Sequence, residues 1–434
     1  MNPPPPPATV LALNTGSSSI KFAFYRDETP LRRTLHGTVD RIGAMGTRLT
    51  FANPSDQDPD TRCREVPGDR SAATFLMQWL EAQDEFASVA AVGHRVVHGM
   101  QRHEPAEVTP ELLAELRETS ANAPGHLPRE IELMEAFQHR YPRLPQVACF
   151  DTMFHRGMPR VARLLPLPRR YEAKGVRRYG FHGLSFGFLM EELGRLEDRA
   201  AHSGRVILAH LGNGASLAAV QDGRCLDTTM GFTPNSGLVM GTRTGDLDPG
   251  VAPFLARTEG LSPERFEEMI NHESGLLGVS EISSDMRDLL VREADDERSA
   301  DAVALFCYQA RKSIGALAAA LGGLETLVFS GGIGENSSRI RTRICENLGF
   351  LGLQLSETRN QAAASVISSD SSRVTVRVLH TDEAWMIARW VLQTRSAAAR
   401  STTSGAGLTA TPTAPKPLRG LIPARFVDIL DGNL

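Results

Sequence analysis

The chain has 434 residues, of which 41% are hydrophobic and 23% charged, and its formal net charge at pH 7 is -4. A domain usually has about 100 to 200 residues, so this length predicts two domains, each with its own core. The slight acidic excess argues against a nucleic-acid partner, because proteins that bind nucleic acid usually carry a basic surplus.

The cysteines and the apolar runs bear on the cellular compartment. Five cysteines are scattered without a CxxC pair, which favours a reducing compartment over a disulfide framework. The sequence has no apolar run of roughly 18 residues that could span a membrane, and MNPPPPPATV lacks the charged and apolar regions of a signal peptide. We therefore expect a cytoplasmic protein that does not insert into a membrane.

The two ends of the sequence differ in composition from the rest. Pro3 to Pro7 is a polyproline run, so residues 1–8 are predicted to be a leader. Ser396 to Pro417 is rich in Ser, Thr, Ala and Pro and could not bury enough apolar surface to offset its ordering entropy. Residues 396–434 are therefore predicted to be a low-complexity tail with a short terminal segment.

Strand and helix patterns alternate between these ends. VLALN, VILAHL and TLVFSGG are predicted as strands. Thr109-Pro110-Glu111 and Ser262-Pro263-Glu264 each offer an N-cap, a proline at the first helical position and an acid in the first turn. Ala302 to Leu321 has apolar residues at helical spacing, which predicts a buried amphipathic helix. The fold class is α/β.

An approximate internal repeat is the most informative feature of this organisation. VLALNTGSSSIKFAFY, from Val10, and VILAHLGNGASLAAV, from Val206, each contain a strand, a polar residue, a turn of small residues and a second strand. Asn14 and His210 occupy the same place, at the end of the first strand. Two similar domains follow, each opening with a hairpin whose turn faces a shared cleft.

Glycine-rich turns follow three of the predicted strands. In NTGSSSIK, strand alternation places Lys21 opposite Ile20 and Phe22, beside a turn of hydroxyls and amides that could hold a phosphate. HLGNGAS repeats this arrangement, and SGGIGENSS leads from a strand into a helix. None of the three is a Walker or dinucleotide-binding motif. Together they favour a nucleotide held in a cleft between two domains.

Two arginines stand in stretches with little other charge. Arg95 lies in GHRVVHG and Arg243 in GLVMGTRTGDLDPG. Each either pairs with a structural acid or binds an anionic ligand, and the sequence pattern alone leaves both open. His182 in RYGFHG and Asp151 in ACFDTMFH are also open to two interpretations, as site residues or as satisfied polar groups in a core.

This chain resembles the acetate kinase family in a series of segments that occur in the family's order. The resemblance runs from about Val10 to Arg395 and implies two duplicated actin-like (ribonuclease H-like) domains flanking a nucleotide cleft. Residues 9–153, completed by about 386–395, would form the N-terminal domain, and 154–385 the C-terminal domain with the ATP site. The segments are NTGSSSIKF, GHRVVHG, FDTMFHRGMP, RYGFHGLS, HLGNGASL, GLVMGTRTGDLDPG, SSDMRD, FSGGIGEN and HTDEAWMIAR.

The resemblance also implies roles for single residues. Asn14 and Glu383 would bind Mg²⁺, with Mn²⁺ as an alternative, and oxygen ligands suit such a hard cation. Lys21, Ser17 and Ser19 would contact nucleotide and phosphate. The remaining ATP and ADP contacts implied are His210, Leu211, Gly212, Asn213, Gly214, Asp285, Met286, Arg287, Gly331, Gly332, Ile333, Gly334 and Glu335.

The acid substrate would lie between the two arginines. The resemblance implies that Arg95 holds the carboxylate and, with Arg243 and His182, stabilises the transferring phosphoryl group. Asp151 would be the family's catalytic aspartate, for which we expect an orienting role. The acyl group would be lined by Val97, Phe181 and Pro234.

The chemistry implied is a reversible, Mg²⁺-dependent transfer of the γ-phosphoryl group of ATP to acetate. A carboxylate with a pKa of about 4 is already ionised, so it needs no general base. It needs neutralisation of charge along a direct in-line path, which guanidinium, ammonium and metal cations supply. The products are acetyl phosphate and ADP, and we expect a homodimer.

The sequence departs from the family pattern around the acyl pocket. APGHLP has Gly125 where the family has a leucine, and TPNSG at Thr233 to Gly237 differs as well. A larger pocket would admit propionate or a slightly longer acid, since one methylene is worth only about 1–3 kcal/mol of discrimination. The alternatives are a sugar kinase or an actin-like ATPase of the same superfamily, a non-catalytic homologue, and an enzyme that uses pyrophosphate as the phosphoryl donor.

Overall fold

The structure is a computed structural model and describes residues 7–16, 19–42, 46–53, 62–66, 71–120 and 126–404. Of these described residues, those up to Thr394 belong to one compact unit, and those from Arg395 to Ser404 belong to a second. The predicted boundary between residues 153 and 154 stays a prediction. The strands are β1 (Thr9–Thr15), β2 (Ser19–Arg26), β3 (Arg32–Asp40), β4 (Arg48–Ala52), β5 (Arg62–Glu65), β6 (Val89–Val96), β7 (Ala106–Glu107), β8 (Gln146–Phe150), β9 (Arg205–Leu211), β10 (Ala215–Gln221), β11 (Arg224–Thr228), β12 (Thr326–Ser330) and β13 (Thr375–Val378).

Helices connect these strands and cover the sheets. Short 3-10 turns span Asp84–Ser88, Met153–Gly157 and Gly349–Leu351, and a π-helical turn spans Met269–Glu273. The α-helices are α1 (Ala72–Glu81), α2 (Pro110–Thr119), α3 (Leu127–Arg140), α4 (Arg160–Arg163), α5 (Arg169–Glu172), α6 (Gly183–Arg195), α7 (Ala200–Ser203), α8 (Val251–Glu259), α9 (Pro263–Glu268), α10 (Gly275–Ser280), α11 (Met286–Arg292), α12 (Glu297–Leu321), α13 (Gly331–Asn336), α14 (Ser338–Cys345), α15 (Glu357–Gln361) and α16 (Glu383–Ser404).

The two sheets repeat one topology. The first has the order β5-β4-β3-β2-β1-β6-β8-β7, and the second β11-β10-β9-β12-β13. In each sheet the two strands of the hairpin pair antiparallel, β1 with β2 and β9 with β10. The first strand of each hairpin also pairs parallel with a later strand, β1 with β6 and β9 with β12. The internal repeat predicted from the two hairpin sequences is confirmed by this shared strand order.

The predicted helix starts and the long amphipathic helix are also confirmed. The hydroxyl of Thr109 accepts a hydrogen bond from the backbone N–H of Leu112, and Ser262 does the same for Arg265, each at 3.2 Å. Such caps satisfy N–H groups that the first helical turn leaves free, and each contributes about 1 kcal/mol. In α12 every apolar residue of the predicted stripe is buried.

Buried side chains join the two sheets. The largest apolar cluster contains residues of both, including Val96, Phe150, Ile207 and Phe329. A second cluster brings β1 and β9 together with α6 and α16. The two sheets therefore share a continuous core, and the carboxyl ends of β1, β6, β8, β9 and β12 carry the polar residues singled out by the sequence.

Helix α16 extends beyond the predicted start of the tail, which stays a prediction. It continues past Arg395 to Ser404, so residues 396–404 are helical. The run Ala397 to Ala399 explains the difference, because alanine has the highest helix propensity and prolongs a helix that is already nucleated. The rest of the predicted tail and residues 1–6 of the predicted leader lie outside the described residues. In the part of the chain that is described, we find no helix with the length and apolar character needed to cross a bilayer.

Candidate active site

A cavity of about 620 Å³ lies where the turns of the two repeated hairpins meet. The carboxyl ends of parallel strands are where α/β folds bind ligands, because the strand ends and the following turns open onto one crevice. Ser17 lies outside the described residues. The predicted residues that line the cavity are Asn14, Ser19, Lys21, Arg95, His182, His210, Gly212, Asn213, Gly214, Arg243, Gly331, Gly332, Glu335 and Glu383.

Arg95 and Asp151 are held next to each other by neighbouring strands. Arg95 lies near the end of β6, and Asp151 directly follows β8, which is parallel to it. The Nη2 atom of Arg95 donates to Oδ2 of Asp151 at 3.0 Å, while Nη1 donates to the carbonyl oxygen of Thr15 at 3.3 Å. The guanidinium is therefore fixed between the first hairpin turn and Asp151.

Asp151 is buried beneath the cavity wall and is fully engaged. Its carboxylate also accepts hydrogen bonds from the backbone N–H groups of His182, at 3.0 Å, and Leu184, at 3.1 Å. These groups belong to the start of α6, so Asp151 serves as the cap of that helix. Gly183 permits the approach, since a β carbon there would lie 2.2 Å from the carbonyl oxygen of Asp151.

Arg243 is a cation without an acidic partner in the part of the chain that the structure describes. Its Nη1 atom donates to the carbonyl oxygen of Pro234 at 3.1 Å, and among the described residues no carboxylate lies within ion-pair distance. Burial and the positive charge of Arg95 lower the pKa of Arg243. A partly buried guanidinium without a counter-ion favours the binding of an anion.

His182 and His210 stack beside this pair. Their ring centroids are 4.4 Å apart, and their Nδ1 atoms lie 2.8 Å from the hydroxyls of Ser216 and Ser185 respectively. Burial lowers the pKa of both rings, and for His182 the neighbouring His210, Arg95 and Arg243 lower it further. Both imidazoles are neutral at pH 7, so His182 can donate from Nε2 only while Ser216 donates to Nδ1.

The turn after β12 packs against the second hairpin turn. Gly331 has φ of +76°, and a β carbon there would lie 2.7 Å from the carbonyl oxygen of Leu211, so only glycine fits. The carboxylate of Glu335 accepts from the backbone N–H groups of Gly331, at 2.9 Å, and Thr381, at 3.3 Å. Glu335 therefore fixes the glycine turn that lines the cavity.

Asn14 and Glu383 meet at the first hairpin turn. The Nδ2 atom of Asn14 donates to Oε2 of Glu383 at 2.5 Å. Glu383 begins α16, and the preceding Asp382 caps that helix and accepts from the hydroxyl of Tyr25. An amide oxygen and a carboxylate fit Mg²⁺, which keeps several waters. Within the described residues no group of three or more His, Cys, Asp or Glu could hold a metal.

Several predicted residues do not line this cavity. Asp285 and Arg287 form an exposed ion pair, and Asp285 caps α11, which begins with the buried Met286. Val97 and Phe181 are buried in the large apolar cluster, and Pro234 contributes its carbonyl to Arg243. Gly125 lies outside the described residues. Leu211, Ile333 and Gly334 flank lining residues without lining the cavity themselves.

Glu130 is a residue of the site that the sequence reasoning missed. It lies on α3, is 1% exposed, and its Oε1 atom lies 3.8 Å from Nη1 of Arg95. Its position was a usable signal, because Leu127, Ile131, Met134 and Phe137 form the buried face of α3 and Glu130 lies within it. An acid on an apolar helix face indicates a specific partner.

Comparison with known proteins agrees with this geometry. The model of the acetokinase family matches residues 9–389. An acetate kinase of Rhodopseudomonas palustris is 44% identical over 388 residues, covering 88% of this chain and 97% of the relative. A propionate kinase of Citrobacter rodentium is 42% identical over 391 residues, covering 88% and 96%.

A solved structure gives the same result. The acetate kinase of Porphyromonas gingivalis superposes with a TM-score of 0.79 at 36% identity, covering 89% of this chain and 99% of that one. These matches extend over almost the whole length of each relative. The chain therefore belongs to the acetokinase family.

Proposed function

We propose that the chain transfers the γ-phosphoryl group of ATP to the carboxylate of acetate, giving acetyl phosphate and ADP. The observation that carries this proposal is Arg243, which has no carboxylate partner among the described residues and lines the same cavity as Arg95 and Lys21. Three cations around glycine-rich turns suit the approach of one anion to another.

The nucleophile needs orientation and charge neutralisation. Asp151 already accepts three hydrogen bonds, so it fixes Arg95 and His182 instead of removing a proton. This favours a carboxylate nucleophile over the hydroxyl of a sugar, which requires a base. Arg95, Arg243 and Nε2 of His182 would contact the transferring group as charge spreads over its oxygens.

The nucleotide and the metal have their own residues in this proposal. Backbone N–H groups at Asn213 and Gly214 and at Gly332 would hold the phosphates of ATP or ADP, together with Lys21 and Ser19, while Gly212 and Gly331 shape the two turns. Asp285 to Arg287 would lie on the adenosine side. Mg²⁺ bound by Asn14 and Glu383, or Mn²⁺ in its place, would neutralise phosphate charge.

Acetate is the main substrate that we propose, with propionate as an extension. Val97, Phe181 and Pro234 would line the acyl group, and the substitution at Gly125 would enlarge its pocket. Relatives named acetate kinase and propionate kinase both match this chain at over 40% identity. The proposal includes the cytoplasmic location and the homodimer expected from the sequence.

Trapping of the product tests this function. The purified chain is incubated with MgATP, hydroxylamine and acetate, propionate or butyrate, and the hydroxamate formed from the acyl phosphate is measured. We expect hydroxamate with acetate and propionate, and little with Arg243→Ala. ADP release with a hexose in place of the acid, without hydroxamate from any acid, would instead show a sugar kinase.

A further inference from the structure

Glu130 contacts the active site from the protein interior. Its Oε2 atom accepts a hydrogen bond from the backbone N–H of Val97 at 2.9 Å. Its Oε1 atom has no hydrogen-bond partner among the described residues and faces Nη1 of Arg95 at 3.8 Å. A buried carboxylate oxygen that is too far from its cation for a hydrogen bond carries a desolvation cost without full compensation.

The charges around Glu130 are few. Arg95 faces it from β6 and lowers its pKa, whereas the like charge of Asp151, which follows β8, raises it. His126, at the start of the same helix, is neutral because burial lowers its pKa to about 3. The buried faces of α1 and α2 contribute only uncharged side chains.

This arrangement has an excess of one negative charge when Glu130 is ionised. Asp151 alone neutralises Arg95, so an ionised Glu130 leaves net negative charge beside the guanidinium that must bind an anion. A neutral Glu130 leaves the group uncharged overall. Burial raises the pKa of Glu130 to about 8, against the opposing effect of Arg95. The neutral form therefore predominates at pH 7.

We propose that Glu130 is a positioning residue that must be neutral for the acid substrate to bind, because an ionised Glu130 would add a negative charge that repels the substrate carboxylate at Arg95. This inference rests on the proposed function. It extends that function, because Glu130 would control the affinity for the substrate without touching it. An alternative is that Glu130 only anchors the backbone at Val97, and that role requires no dependence of affinity on its protonation.

The pH dependence of KM separates these two roles. For the wild type we expect KM for acetate to be constant below about pH 7 and to rise above pH 8, approaching tenfold per pH unit, while kcat changes much less. Glu130→Gln keeps an acceptor for Val97 and cannot ionise, so its KM should stay at the low-pH value up to pH 9.5. The matched control is Glu132→Gln, exposed on the same helix, which should follow the wild type.

A binding measurement on the wild type keeps the proposal testable if Glu130→Gln does not fold. Titration of acetate into the MgADP complex at pH 8, in buffers of different ionisation enthalpy, should show net proton uptake from solvent. Absence of uptake, or equal KM profiles for wild type and Glu130→Gln, would overturn the role of Glu130 while hydroxamate formation leaves the proposed function standing. Absence of hydroxamate with every acid would overturn both.

Discussion

The guanidinium of Arg95 and the carboxylate of Asp151 are 3.0 Å apart, although the two residues belong to different strands and are far apart in the sequence. The parallel pairing of β6 with β8 brings them together, with Arg95 opposite Cys149 and Asp151 just beyond the end of β8. Asp151 also holds the backbone of His182. One buried carboxylate thus sets the positions of two side chains that line the cavity.

Replacement of Asp151 by Asn should disrupt both positions. The asparagine amide has one oxygen to accept from the three groups that donate to Asp151. Its NH₂ group would face another donor, either Arg95 or a backbone N–H at the start of α6. Loss of one partner from a buried ion pair costs about 3–5 kcal/mol. We expect kcat to fall by about two orders of magnitude or more, with reduced stability, in steady-state kinetics and thermal melts. Asp370→Asn, at an exposed ion pair, should match the wild type; equal kcat for the two variants would contradict the role of Asp151.

Replacement of Arg243 by Met should change activity and stability in opposite directions. Met removes a partly buried charge that has no acidic partner among the described residues, so Tm should equal or exceed that of the wild type. The kcat/KM for acetate should fall by about 10³-fold, because the transferring group loses a fixed cation. Arg160→Met, which removes an exposed arginine paired with Glu172, is the control and should keep activity. A fall in Tm together with near-normal kcat/KM would assign Arg243 a structural role.

Several buried histidines should make the protein sensitive to mild acid. Burial lowers the pKa of His94 and His155 to about 4. In the unfolded chain these groups take up protons near pH 6.5, whereas in the folded chain they do so only near pH 4. The unfolding free energy is therefore fully retained above pH 6.5 and is lost as pH falls from 6.5 toward 4, by up to about 1.4 kcal/mol per pH unit for each histidine.

Urea unfolding at pH 7, 6 and 5 measures this loss. His155→Gln provides a direct comparison, because the amide can donate to the carbonyl oxygen of Phe181 as the imidazole does and cannot titrate. We expect the unfolding free energy of His155→Gln to fall less steeply with decreasing pH than that of the wild type, by an amount that corresponds to about one bound proton. His139→Gln, at an exposed position, should leave the slope unchanged. Parallel slopes for wild type and His155→Gln would exclude His155 as a source of acid sensitivity.

Glu383 gives a test of the proposed metal site. Glu383→Gln keeps the contact with Asn14 and removes the negative charge that would attract Mg²⁺. We expect the Mg²⁺ concentration for half-maximal activity to rise by about tenfold or more, and EDTA to abolish wild-type activity reversibly. Glu191→Gln, whose side chain pairs with Arg389 at the surface, serves as control. An unchanged Mg²⁺ titration curve would remove Glu383 from the metal site.

The sequence predicted those features that local patterns encode. The hairpins, the strand ends at Asn14 and His210, and the helix caps at Thr109 and Ser262 follow from alternation and turn chemistry, which need only a few neighbouring residues. The internal repeat then implied the shared cavity. These features together set the fold.

The remaining features depend on contacts between distant segments. No local pattern shows that Glu335 would hold the turn at Gly331, or that Glu130 would reach the guanidinium of Arg95. The spacing of its apolar neighbours indicates that Glu130 lies on the buried face of α3, but only the packing of α3 against β6 determines which cation it meets. Side chains that support the site were therefore harder to predict than those that line it.

Arg341 is such a supporting residue and yields the last prediction. It is 1% exposed, and its Nη1 atom donates to the carbonyl oxygens of Gly334, at 2.9 Å, and Glu335, at 2.8 Å. These carbonyls belong to the end of α13, whose first residues form the turn that lines the cavity. The Nε atom donates to Oδ1 of Asn360 at 2.7 Å. Arg341 thus satisfies helix-end carbonyls that have no partner within the helix.

Arg341→Met leaves these acceptors buried without a donor. Since each unsatisfied group costs about 1–3 kcal/mol, and removal of a buried charge returns part of this, we expect a net loss of about 2–4 kcal/mol in urea unfolding. The shifted turn at Gly331 should raise KM for ATP several-fold and KM for acetate much less. Arg339→Met is the control. It removes an exposed arginine that pairs with Glu293, and Arg343 still pairs with that glutamate. Equal increases in both KM values would mean that Arg341 supports the whole fold and not the nucleotide side in particular.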